Sequence, residues 1–170
     1  MKSLACAFVL LLAVSQAKPI GEVGTTTDPK VNFTSLHTYV WQKGHEAYNP
    51  EAHKIIVSSI ESEMASLGFT KVESGKADVT LTYHSVAGAD VDMKMLEKWQ
   101  KEGHTDPMPT KVLGSLAVVL FPPGGTKPIW EAHTRGHLSD DGATRADEIK
   151  KAVSALFAAY PTRQPPKKKD

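Results

Sequence analysis

Seven histidines in a chain of 170 residues put metal and acid–base chemistry first among the possibilities. His133 and His137 have the most suggestive spacing. On a helix their four-residue offset would set both imidazoles side by side, ready to share one ion. On a strand it also keeps them on one face, but roughly 13 Å apart at 3.3 Å per residue. Imidazoles that share a zinc ion each bring a nitrogen to about 2 Å from it, so a strand pair alone does not chelate. Trp130, Ala132 and Thr134 alternate with Glu131, His133 and Arg135 here, which is the period of a strand. His84 lies on a second alternating stretch and could approach from a neighbouring strand. The spacing predicts no metal site.

Nucleophilic chemistry has less support. There is no Gly-x-Ser-x-Gly elbow, and Ser115 falls inside an apolar run rather than on a strained turn. The single cysteine is Cys6. Asp140-Asp141 and the Asp90/Asp92 pair stand where helices should begin, where acid caps free amides and complements the helix dipole. Gly124-Gly125 reads as a hairpin turn, and Asn32-Phe33-Thr34 is a glycosylation sequon in form only. No catalytic residue, cofactor or metal is expected. Two surfaces remain. One is a polar strand face carrying His84, Glu131, His133, Arg135 and His137; the other is a segment with Met93, Met95, Leu96 and Trp99. Together they suggest a binding role toward a protein partner. The alternative is a hydrolase using His84 or His133. The plainer account has a solvated sheet face and a segment that covers one edge of the core, with Trp99 packed inward.

The elements that must position these residues can be read from periodicity and punctuation. Ile20–Thr26 reads as an edge strand and Thr38–Trp41 as a strand with Tyr39 and Trp41 on one face. Asn49, Pro50 and Gly68 punctuate a helix whose Ile56, Ile60, Met64 and Leu67 form one apolar stripe. Lys71–Glu73 is a short strand, and Asp78–Ala87 a half-buried one in which Val79, Leu81 and Tyr83 alternate with Thr80, Thr82 and His84. An insertion over 88–110 follows, with a short helix across Asp90–Gly103. Val112–Phe121 is apolar on both faces and so central; Ile129–Leu138 alternates; Ala143–Tyr160 is a helix with Ile149, Val153, Leu156 and Tyr160 inward. This order predicts an α+β fold: a two-layer sandwich of mostly antiparallel sheet with two amphipathic helices on one face.

The ends set the compartment. Lys2, the apolar run Leu4–Val14 and Ser15-Gln16-Ala17 form a secretory signal pattern, with cleavage expected after Ala17. Its apolar run of roughly 11 residues is short of the about 20 that span a bilayer, and no later segment is long enough either. Cys6 precedes most of that run, and Ser3 stands where a lipidation site wants an aliphatic residue, so no lipid anchor is expected. The mature chain then has no thiol and no disulfide, and an ordinary core must hold it. The domain expected is 18–161, with 162–170 a disordered basic tail whose Lys167, Lys168 and Lys169 suit weak contact with an anionic surface. A net charge of +1 excludes the strong basic excess of a nucleic-acid binder. The product is an exported, periplasmic or secreted domain; composition leaves its oligomeric state open.

Several segments share an order with a known family. Asp28-Pro-Lys-Val-Asn-Phe33 followed by Thr38-Tyr-Val-Trp41 resembles the opening of the bacterial envelope family called domain of unknown function 4136. Leu67-Gly68-Phe69, Ala77-Asp78-Val79, Tyr83-His84, Gly114-Ser115-Leu116, Ile129-Trp130 and Tyr160-Pro161 continue the likeness over about residues 22–161. Phe121-Pro-Pro and Glu131-Ala132 depart from it, and so does the missing lipid-bearing cysteine. The resemblance implies an envelope α+β domain of unknown activity and carries over no catalytic residue.

Overall fold

The computed structural model describes residues 21–73, 76–90, 93–104 and 110–164. The expected signal segment and the lysine run of the tail lie outside these residues. In chain order the elements are β1 (Val23–Thr27), β2 (Thr38–Trp41), α1 (Pro50–Ser66), β3 (Thr70–Lys71), β4 (Val79–Asp90), α2 (Met93–Lys101), β5 (Lys111–Phe121), β6 (Trp130–Leu138) and α3 (Gly142–Ala158). The six strands form one sheet in the order β1-β6-β5-β4-β2-β3.

Two corrections to the expected architecture follow. The described residues hold three α-helices rather than two. The sheet is mixed: β1–β6, β6–β5 and β5–β4 pair antiparallel, but β4–β2 and β2–β3 pair parallel. The parallel half comes from α1, whose 17 residues carry the chain from β2 to a neighbouring strand of the same direction.

Alternation then decides which side chains are buried. Leu81, Leu120 and Trp130 stand in one row across β4, β5 and β6, and Tyr83, Val118 and Ala132 in the next. All six are buried. Ile56, Ile60 and Met64 of α1 and Ile149, Val153, Leu156 and Phe157 of α3 close over them in a single core. Each such side chain contributes about 1.5–3 kcal/mol by leaving water. Trp130 sits at the centre, 5.5 Å from the Phe157 ring and 5.2 Å from the Tyr160 ring. Among the described residues the Trp130 Nε1 and Tyr160 hydroxyl are buried without a hydrogen-bond partner, and burial pushes the Tyr160 hydroxyl well above its usual range. The apolar contact of the rings outweighs that unmet polarity.

Local punctuation behaves as the sequence suggests. Asn49 accepts from the backbone N–H of Glu51 and Ala52, and Gly68 ends α1 at φ 85°, where a side chain would be strained. Asp141 caps α3 through Thr144. Asp90 ends β4 and accepts from the His137 ring at 2.9 Å. Asp92 lies outside the described residues. Pairing of β4 with β5 continues to Asp90↔Lys111, so the insertion expected from 88 starts only beyond residue 90. Pro161–Arg163 forms a 3-10 turn, and Arg163 donates to Glu63 at 2.6 Å and to the Ser66 hydroxyl.

Candidate functional site

The strand face turned away from α1 and α3 carries five of the six expected binding residues, and the register shows how they sit. His84, Ala117 and His133 form one row, with Val119 and Glu131 in the row on one side and Ser115 and Arg135 in the row on the other. The two histidines are thus two strands apart, about 9.5 Å at the usual strand spacing, with Ala117 between them. His133 leans away from His84, because its ring lies over Gly24 of β1, where a methyl group would meet Nε2 at 2.4 Å. His137 pairs with Asp90. Among the described residues no three His, Cys, Asp or Glu side chains stand close enough to hold an ion.

His84 has a structural task. Its Nδ1 accepts from the backbone N–H of His45 at 3.1 Å, and Ser85 N–H donates to the His45 carbonyl at 2.8 Å. The Tyr83 hydroxyl accepts from Ala47 N–H at 3.1 Å and lies 2.5 Å from His53 Nδ1. Burial raises the Tyr83 hydroxyl above its usual range, the Ala47 bond opposing that. These bonds strap residues 42–47 to β4. The strap passes so close that a Cβ on Gly44 would sit 2.1 Å from the Tyr83 carbonyl oxygen, so only glycine fits there.

Trp99, the sixth residue, does not pack into the core, contrary to the inward placement expected. No residue of α2 is buried, and none of its apolar side chains joins the core cluster or the side chains packed against it. Trp99 instead stacks on His104, with ring centroids 4.1 Å apart. The pairing of β4 and β5 runs out to Asp90↔Lys111, so α2 lies between the far ends of these two strands in the chain.

A feature that the sequence reading missed lies on the other face. Over three successive rows the inner side chains shrink, from Tyr83–Val118–Ala132 to Ser85–Leu116–Thr134 to Ala87–Gly114–Gly136. That third row spans three strands and offers nothing larger than a methyl group, although Leu138 of the next row, Ala89–Val112–Leu138, leans over Gly114. Above it the first turns of α1 and α3 present Ala52 and Ala146. Small side chains therefore meet in floor and roof at the same place, with Val112 and Leu138 closing the end beyond. An apolar cleft of about 370 Å³ remains, walled by Ile55, Ile56, Ile149 and Leu116. The strap delivers Tyr48 to its mouth, fully exposed, next to Glu51 of α1 and Arg145 of α3. Arg145 is held in place by two backbone carbonyls: Nε donates to Ser139 and Nη2 to Asp140, at 2.8 and 2.9 Å. The signal for this cleft was present as small residues at Ala87, Gly114 and Gly136, but it becomes visible only once the strand register aligns them.

Fold and site together define a class: a mixed-sheet α/β domain with one sheet face packed by two helices and a side-chain-poor cleft at one end of that packing. The chain belongs to the family described as Domain of unknown function (DUF4136), whose pattern covers residues 23–162. A solved DUF4136 family protein from Bacteroides thetaiotaomicron shares the fold with a TM-score of 0.54 at 12% identity, over 86% of this chain and 99% of that one. A PDZ domain protein from Parabacteroides distasonis gives 0.55 at 16% identity over 84% of this chain, which spans only 36% of that structure. No curated protein matches. No helix among the described residues is long and apolar enough to cross a membrane.

Proposed function

We propose that this chain is an exported, non-catalytic binding domain of the cell envelope, and that the cleft between the helix starts and the β4–β5 hairpin is where it binds. The observation that carries the reading is the Ala87–Gly114–Gly136 row under Ala52 and Ala146. Well-packed interiors leave few voids larger than a water molecule. A mainly apolar opening of about 370 Å³ falls in the range in which proteins hold small ligands, with a few polar groups at its rim. Placement in the envelope is supported by the signal pattern at residues 1–17. The helix-free face with His84, Glu131, His133, Arg135 and His137 then serves as a second contact surface for an envelope protein.

The alternative is a hydrolase built on His84 or His133. It is disfavoured because His84 Nδ1 is engaged by the strap and the His133 ring lies over Gly24 of β1. The test is binding of the uncharged apolar dye N-phenylnaphthylamine to the purified exported protein, alongside Ala146→Trp, which fills the cleft from α3. One-to-one dye binding that Ala146→Trp abolishes supports the reading. Turnover of an ester, glycoside or phosphoester that His133→Ala removes, with no dye binding, would favour the enzyme.

A further inference from the structure

The cleft's walls and its mouth differ in chemistry, and the difference specifies an occupant. The lining is mainly apolar, with Ile55, Ile56, Ile149 and Leu116 beside the Ala87–Gly114–Gly136 row, and its formal charges are those of Glu51 and Arg145. Both formal charges sit at the mouth, on helix first turns. Glu51 follows the N-cap of α1, and Arg145 lies in the first turn of α3. Neither forms an ion pair among the described residues, although the guanidinium, bonded to the carbonyls of Ser139 and Asp140, lies close enough to Asp141 to help lower its carboxyl. Those two bonds fix its position and leave Nη1 and one Nη2 hydrogen for another acceptor. Tyr48 stands beside them with its ring in water.

From this we infer that the cleft takes a single-chain amphiphile with a zwitterionic headgroup, its one acyl chain in the cleft and its phosphate and ammonium groups at Arg145 and Glu51. The inference rests on the reading of the cleft as the binding site. A volume of about 370 Å³ lies at the low end for ligand pockets, which suits one chain rather than two. A purely anionic head would satisfy Arg145 but meet Glu51 as a like charge; a purely cationic one would do the reverse. A head with both charges pairs with both side chains. The Tyr48 ring offers the ammonium a face as well, a contact favourable even at exposed sites. An enclosed peptide segment fits less well, because the interior presents almost no partners for its backbone polar groups.

The experiment is displacement of N-phenylnaphthylamine by three monomeric competitors of equal chain length: lauroyl lysophosphatidylethanolamine, lauric acid and dodecanol. The zwitterionic lipid should compete about tenfold better than either of the others, the factor expected of one charge-assisted contact. Arg145→Met and, separately, Glu51→Gln should each reduce that preference to about threefold or less, with each variant's own dye affinity taken into account. Glu51→Gln keeps the test sound if loss of the Arg145 carbonyl bonds loosens the turn before α3. Equal competition by all three amphiphiles, or a preference that survives both substitutions, overturns the inference and leaves the cleft as an apolar site. Failure of the dye to bind the unmodified protein overturns the underlying reading with it.

Discussion

Asp78 shows how one exposed side chain sets the sheet. Its carboxylate accepts from the backbone N–H of His37 and Thr38 and from the Thr38 hydroxyl, at 2.8, 2.9 and 2.9 Å. The Thr38 hydroxyl in turn accepts from the Asp78 N–H at 2.9 Å. The starts of β2 and β4 are thereby latched together, which fixes their parallel register. The His37 backbone bond, followed by the Thr38 bonds, holds the Asp78 carboxyl below its usual range. A depressed carboxyl favours the folded state above the unfolded value of about 3.9 and loses that effect as pH falls through the folded value. The unfolding temperature should therefore drop as pH is lowered from 5 toward 3. Asp78→Asn should lower it at pH 7 and flatten the acid decline, with Asp141 keeping part of the slope because its Thr144 bonds depress it in the same way. Thermal melts across that range check this; an acid slope identical in Asp78→Asn contradicts it. The sequence marked Asp78 only as the opening of a strand, since its partners lie 40 and 41 residues away.

At the scale of elements, most of the fold was legible because period and punctuation agree. The Asn49, Pro50 and Gly68 signals bound α1 closely, and Thr38–Trp41 is a strand as expected. Two elements were misread for physical reasons. The parallel pairing of β2 with β4 depends on where a crossover lands, which local pattern does not encode. The stripe Met95–Trp99 on α2 looked like a core face, since amphipathicity reports that a helix has an apolar side, not what that side meets. With Trp99 on His104 and outside the core, Trp99→Ala should shift unfolding by no more than about 0.5 kcal/mol. Ile60→Ala, at a site with no exposure, should cost about 2–5 kcal/mol. Denaturant titrations of the two variants side by side decide this; a Trp99→Ala loss as large as that of Ile60→Ala would mean α2 is part of the core.

For the whole molecule, one sheet serves two purposes. Its inner face is filled by large side chains near Trp130 and by small ones along Ala87, Gly114 and Gly136, so a stable core and an open cleft occupy the same layer. The candidate site was the least legible part. The polar face announced itself through alternation and titratable groups, whereas the cleft depends on the absence of side chains at positions from three strands and two helices. Such a void arises from register and packing, and a shift of one residue in β5 would remove it by turning Gly114 to the other face. The most direct test follows amide and methyl chemical shifts of the isotope-labelled protein during titration with lauroyl lysophosphatidylethanolamine. Saturable changes should centre on Ala87, Gly114, Gly136, Ala146 and Ile149 and spare His84, His133 and Arg135. Changes centred on the histidine face instead, with the cleft resonances still, would contradict the account.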